Sequence, residues 1–178
     1  VRRAAAVFDR RLNKERGIMQ HKRYVTLAAA SIALLSIGTA RSEVVGRYDM
    51  GQWVIEANAS NGRFEYCASS GRYSKGAAVH FLLTREAAWG MVIENPNWNW
   101  VRDSRGDVTY WVDNYRSRAS GAKATAPTRL LIPLADSTQL FQEIRAGRVL
   151  YFQPRGNKSF SVTLNGTSSA LSALMQCV

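Results

Sequence analysis

His80 is the residue in this chain best suited to proton chemistry. It is one of two histidines, and the other, His21, lies in a segment read below as a signal peptide. His80 sits between Val79 and Phe81 in the run AAVHFLLT, Ala77–Thr84. A single imidazole excludes a zinc site built from several histidines and leaves one base for a Ser or Cys nucleophile. No G-x-S-x-G, H-E-x-x-H, phosphate-loop or calcium-loop pattern accompanies it. A general base also needs an orienting partner, and none is readable beside it, so a hydrogen-bonded structural histidine is expected. Glu94, Asp103, Asp107 and Asp113 lie close enough in sequence to converge as a glycosidase pair. Against that, Asp103 and Asp107 fall in turn-forming sequence and Asp113 on a solvent-facing position, where Asp commonly serves local structure. The chain reads as non-enzymatic, with no cofactor and no metal.

Aromatic residues offer a different chemistry, that of contact. Trp98 and Trp100 would share one strand face, with Arg102 next along it. In Val108–Tyr115, VTYWVDNY, the apolar face is Val108, Tyr110 and Val112, which puts Trp111 and Tyr115 on the other. Exposed Trp and Tyr beside Arg make stacking platforms for glycans, peptides or proteins. The same tryptophans would serve equally as core in a two-layer fold. Trp98, Trp100, Arg102, Trp111 and Tyr115 are therefore the candidate partner-binding set.

The segment that decides the compartment is Met19–Ser42, MQHKRYVTLAAASIALLSIGTARS. A basic start, an apolar run from Val25 to Ile37 and small residues ending in Ala40 and Ser42 form the order of a secretory signal peptide. The apolar run, about 13 residues, falls short of the about 20 needed to span a bilayer. Residues 1–18 carry five Arg and one Lys ahead of Met19 and read as a non-native upstream extension. The formal charge of +11 suggests nucleic acid, but nine Lys/Arg and two Asp/Glu lie in residues 1–42. That leaves 15 basic and 11 acidic residues, a net +4 for residues 43–178. This is an ordinary solubility balance, and no nucleic-acid partner is expected. Residues 43–178 suit a single periplasmic or secreted domain, with cleavage near Ala40 or Ser42 and no later transmembrane segment.

Export makes Cys67 and Cys177 a structural disulfide rather than two free thiols. Their closed loop of about 110 residues would contribute about 4–5 kcal/mol in the chain-entropy model. The bond would tie the last helix to an early strand. Cys67 alternates with Phe64 and Tyr66, which places those two on the opposite sheet face.

The positioning elements follow from period and punctuation. Gln52–Asn58 and Arg63–Ser69 form a hairpin across Asn61-Gly62, whose residues tolerate positive φ. Ala77–Thr84 and Ala88–Glu94 form a second across Arg85–Ala87. Arg102–Asp107 reads as a polar turn, Val108–Tyr115 as a strand, and Arg116–Pro127 as a loop or ragged strand pair. Thr128–Leu134 is a strand whose Pro133 points its end to a sheet edge. Asp136 caps a helix bearing Leu140, Phe141 and Ile144, which Gly147 would end in the left-handed region. Arg148–Gln153 and Ser159–Leu164 pair, and Thr167 or Ser168 caps a last helix with Ala170, Leu171, Leu174 and Val178 as its stripe. About eight strands and two short helices near the C-terminus imply α+β, a mostly antiparallel sheet or sandwich.

The C-terminal run F-S-V-T-L-N-G-T-S-S-A-L-S-A-L-M-Q-C, Phe160–Cys177, resembles small exported proteobacterial proteins of unknown function. In those, an F-x-x-x-L-x-G-T strand leads into an A-L-x-x-L helix ending in Cys; Trp53 and Phe64-x-x-Cys67 fit the same pattern. A looser similarity is to invasion-associated exported β-sandwich proteins. The resemblance implies a fold and brings no catalytic residues. The expected function is a non-enzymatic envelope domain binding an envelope glycan, other envelope component or protein. The alternatives are a secreted inhibitor of a lytic enzyme or protease, presenting Asn95–Asp107 or Arg116–Pro127, and a hydrolase using His80 or the carboxylates.

Overall fold

A computed structural model describes residues 42–135 and 137–178. The upstream extension, the signal segment to Arg41 and the Asp136 cap lie outside the described residues. Ten strands run in chain order: β1 (Ser42–Met50), β2 (Trp53–Ser60), β3 (Arg63–Arg72), β4 (Ala78–Thr84), β5 (Trp89–Glu94), β6 (Arg105–Val112), β7 (Arg118–Ala126), β8 (Arg129–Pro133), β9 (Val149–Pro154) and β10 (Phe160–Thr163). Helix α1 (Thr138–Ala146) separates β8 from β9, and α2 (Thr167–Cys177) ends the chain. All strands join one antiparallel sheet in the order β1-β2-β3-β4-β5-β8-β7-β6-β9-β10. The architecture is a mostly antiparallel sheet with two helices, as the pattern implied.

The sheet curls so that strands near its two edges meet. Tyr73, just past β3, donates its hydroxyl to the Thr163 carbonyl of β10 at 2.7 Å, and burial pushes its phenol up to about 12. Trp53 of β2 donates its indole N–H to the Asn165 carbonyl, beyond β10, at 2.7 Å. The enclosed face carries the fully buried Trp53, Ile55, Phe81, Met91, Tyr110, Ile132 and Phe152. Leu140 and Ile144 of α1 and Leu171 and Leu174 of α2 join the same core. Burying such side chains, at about 1.5–3 kcal/mol each, is what offsets the cost of ordering the chain.

Both predicted hairpins are present. Asn61 and Gly62 take φ of 52° and 72° between β2 and β3, and Ala87 takes 59° between β4 and β5. The disulfide joins Cys67 of β3 to Cys177 of α2 with Cα atoms 6.1 Å apart. Tyr66 faces away from the core, as alternation requires. Phe64 packs against the core instead, because a bulge shifts the β2–β3 register between Asn58 and Ala59 and leaves Glu65 unpaired.

Several expectations are corrected. Strand β1 was not anticipated: eight of its nine residues are exposed, so it carries no buried alternation to read. Arg116–Pro127, expected as a loop or ragged strand pair, holds a single strand, β7, whose small Ala122 and Ala124 are buried. Residues 98–101 form no strand, and β6 begins at Arg105, inside the expected turn. Pro133 ends β8, but β8 lies between β5 and β7 rather than at an edge. The missing N–H falls at the strand's last residue, where it costs little of the ladder. Ser137 accepts the cap hydrogen bond from Leu140 N. Gly147 has φ of −73°, outside the left-handed region. Its lack of a side chain matters sterically, since a Cβ there would collide with Val112 and the Glu143 carbonyl. Gly166, at φ of 75°, precedes α2 as its cap residue in place of Thr167 or Ser168. Val178 stays 40 % exposed and is not part of the α2 stripe.

Candidate functional site

The candidate aromatic set is divided by the fold. Trp98 and Trp100 stand in the irregular segment between β5 and β6, each with one edge turned inward. Trp98 packs edge-on against Trp100 (5.9 Å) and against Phe160 of β10 (5.2 Å). Arg102 is exposed in the same segment, ahead of β6. Trp111 lies on the outer face of β6, stacked at 5.2 Å on its cross-strand neighbour Tyr151, and Tyr115 is 49 % exposed beyond the end of β6. Arg102 and Tyr115 thus flank opposite ends of one strand, and no common surface gathers the five.

The four carboxylates are likewise separated by their partners. Asp103 pairs with Lys123 at 2.7 Å, which holds its carboxyl below the usual range. Asp107 pairs with Arg155 at 3.1 Å. Asp113 accepts from the backbone N–H groups of Arg148 and Val149, locking the turn after β6 to the start of β9. Glu94 alone joins a wider constellation.

That constellation follows from register. Across the outer face, Val54, Ser70, His80 and Val92 fall in one row over β2 to β5, because Val54 pairs with Ser70, Ser70 with His80, and His80 with Val92. The next row is Arg47, Glu56, Ala68 and Leu82 on β1 to β4, and the row on the other side is Arg72, Ala78, Glu94 and Arg129 on β3, β4, β5 and β8. Small side chains at Ala68 and Ser70 lower the floor, while the long Arg and Glu side chains raise two walls. The result is a groove of about 410 Å³, within the range of about 300–1,000 Å³ usual for small-ligand sites.

Polar groups converge in it. The Ser70 hydroxyl is 2.8 Å from His80 Nδ1. His80 Nε2 lies 3.9 Å from Glu94, whose carboxylate is also held by Arg129 at 3.1 Å. Arg47 and Glu56 pair across the far wall at 2.8 Å. Arg72 lines the groove, and its guanidinium makes no ion pair or hydrogen bond among the described residues. Burial lowers the His80 pKa, and the nearby Arg129 and Arg72 lower it further against the opposing pull of Glu94 and Glu56. His80 is therefore neutral near pH 7. The sequence placed His80 correctly as a hydrogen-bonded strand residue but missed its partners. The signal available was the β3–β4 pairing across Tyr73–Ala77, which sets Ser70 opposite His80.

A larger concavity, about 910 Å³, borders β6, β7 and β8 and is lined in part by Trp100, Val108, Ala122 and Leu130. On its rim Lys123 pairs with Asp103 and Arg155 with Asp107, while Arg105 makes no ion pair or side-chain hydrogen bond among the described residues. The Trp100 indole N–H is buried beside it without a partner among the described residues. The groove offers far more chemistry. Among the described residues there is no group of three or more His, Cys, Asp or Glu that could hold a metal, and no helix long and apolar enough to cross a membrane.

No protein-family model and no curated protein sequence matches the chain. Among solved structures, invasion associated protein B from Bartonella henselae is similar in fold, with a TM-score of 0.54 over 74 % of this chain and 96 % of that one, at 19 % identity.

Proposed function

We propose that this chain is a non-enzymatic domain of the bacterial envelope that binds an envelope component through the outer-face groove of β1–β5 and β8. The observation that carries this reading is the convergence of Ser70, Arg72 and His80 from two adjacent strands into one concavity, with Glu94 of the next strand 3.9 Å from the His80 imidazole. Polar side chains on a solvent-facing sheet usually point apart; here Ser70, His80, Glu94 and Arg129 form a continuous chain of contacts beside the small Ala68, with Arg72 left unpaired among the described residues. The signal-like order of Met19–Ser42 and the Cys67–Cys177 bond support an exported, oxidising location. The description of the structural neighbour as invasion associated agrees with a role at the envelope and names no ligand. The test is co-sedimentation of the purified protein with isolated envelope fractions, with variants of the groove and of Trp111 run alongside. Binding that survives Arg72→Gln and Glu56→Gln but fails with Trp111→Ala would move the site to the aromatic surface.

The hydrolase alternative keeps one supporting observation, the 2.8 Å Ser70–His80 hydrogen bond with Glu94 on the imidazole's far side. It lacks an oxyanion hole from the main chain, because β3 pairs on both sides around Ser70 and its backbone N–H groups are spent in the ladder. Absence of Ser70 labelling by a fluorophosphonate would remove it. The inhibitor alternative retains only the segment between β5 and β6, since Arg116–Pro127 is largely strand.

A further inference from the structure

We infer that the groove is a subsite for an acidic sugar, its carboxylate seated on Arg72 beside Ser70 and His80 and its hydroxyls facing Glu56 and Asn58. The inference rests on the groove being the binding site and deepens that reading to a ligand class.

Charge balance selects a monoanion. Three guanidiniums line the groove, and two are already matched, Arg47 by Glu56 at 2.8 Å and Asp49 at 3.7 Å, and Arg129 by Glu94 at 3.1 Å. Arg72 remains as the one of the three without a partner among the described residues, placed at the β3 end of the wall. A carboxylate fits that single charge, and a guanidinium can hold it through two parallel N–H donors. A dianionic phosphate would bring a second negative charge beside Glu56 and Glu94 without a second free cation. The opposite wall supplies what a sugar ring requires. Glu56 offers carboxylate lone pairs, Asn58 lines the same wall, and Tyr66 borders the groove with a hydroxyl. The floor between the walls is apolar at Ala68, Leu82 and Val92, which suits the C–H face of a pyranose.

The imidazole makes the site responsive to acid. His80 faces Arg72 from β3, Glu94 from β5, Arg129 from β8 and Glu56 from β2, and it hydrogen-bonds Ser70. Protonation would add a second positive charge to the floor and tighten the hold on a carboxylate that stays ionised over the same range.

The experiment is an NMR titration of the whole protein with glucuronate, glucose, glucose 6-phosphate and acetate at pH 7.5 and 5.5. Glucuronate is expected to bind saturably and at least tenfold more tightly than the other three, and at least threefold more tightly at the lower pH. Arg72→Gln, an exposed position whose variant should melt like the parent, is expected to weaken glucuronate at least tenfold. His80→Gln should retain binding at pH 7.5 and lose the gain at pH 5.5. Tighter binding of glucose 6-phosphate, equal binding of acetate, or indifference to Arg72→Gln would each overturn the assignment. Envelope fractions that still co-sediment with a protein blind to glucuronate would reject the acidic sugar and leave envelope binding standing; failure of both would reject both.

Discussion

Arg118 of β7 grips Glu143 of α1 through both guanidinium nitrogens, at 2.6 and 3.0 Å, with the carboxylate 5 % exposed. Gln139 donates a third hydrogen bond to the same carboxylate at 3.0 Å. The Arg118 contact holds the Glu143 carboxyl below the usual carboxylate range. This pair fixes α1 over β7, where the sequence alone reads as a loop or ragged strand pair. Removing Arg118 alone strands a buried charge, so Arg118→Met is expected to cost about 3–5 kcal/mol in urea denaturation. Arg118→Met with Glu143→Met should recover most of that loss, since two apolar groups of similar size need no partner. A double variant no more stable than the single one would show that the pair acts through geometry rather than through an uncompensated charge.

The pH dependence of stability near neutrality is expected to run through His80. Its folded pKa lies below the ordinary value of 6.5, mainly from burial. The unfolded chain therefore binds more protons than the folded one as acid is added, and stability falls as the pH falls. The contribution is fully present above about 6.5, the unfolded value, and is lost as pH drops toward the lower folded value. Denaturation midpoints at pH 7.5 and 5.5 should fall for the parent and fall less for His80→Gln. Identical slopes for both proteins would place the acid sensitivity elsewhere.

The disulfide is expected to protect the fold from both ends of the chain. Cys67 is fully buried on β3 and Cys177 lies in the last turn of α2, 110 residues away. Loss of the cross-link frees a long loop in the unfolded state, with a ceiling of about 4–5 kcal/mol. The parent should resist thiol alkylation until denatured and reduced, and Cys67→Ala with Cys177→Ala should melt well below it. Rapid alkylation of the native, unreduced protein would mean that the bond is not formed.

What the sequence made legible depended on buried alternation. Met91 and Ile93, or Val108, Tyr110 and Val112, repeat at a period of two because one face is fully buried, and both strands were readable. Strand β1 is exposed on both faces and β7 buries only alanines, so neither offers an apolar rhythm against its polar positions. Trp98 and Trp100 alternate like a strand yet belong to a segment that wedges one tryptophan against the other and against Phe160. The groove was hidden for a different reason. Its residues come from six strands, and only the cross-strand register brings Arg72, Glu94 and Arg129 into one row. Register is a tertiary property, fixed by turns and the bulge near Phe64, and no local pattern encodes it.

Gly71 and Gly121 are both strand glycines with ordinary backbone angles, and the fold predicts opposite outcomes for the same substitution. Gly71 sits directly across from Trp53, whose ring fills the space a side chain would need: a Cβ there would lie 2.9 Å from two ring carbons. Trp53 cannot retreat, because it is fully buried, stacked on Phe81 at 5.9 Å and tethered by its indole N–H to the Asn165 carbonyl. Gly71→Ala is therefore expected to destabilise by about 1–3 kcal/mol, the cost of overpacking a rigid site. At Gly121 of β7 a Cβ would meet nothing within 4 Å. There the loss of backbone freedom in the unfolded chain dominates, and Gly121→Ala should be neutral or stabilising by up to about 1 kcal/mol. Thermal melts of the two variants against the parent separate the cases. A Gly71→Ala protein as stable as the parent would mean that the Trp53 ring is free to shift, and that the tie between β2 and the turn before α2 is looser than its hydrogen bond implies.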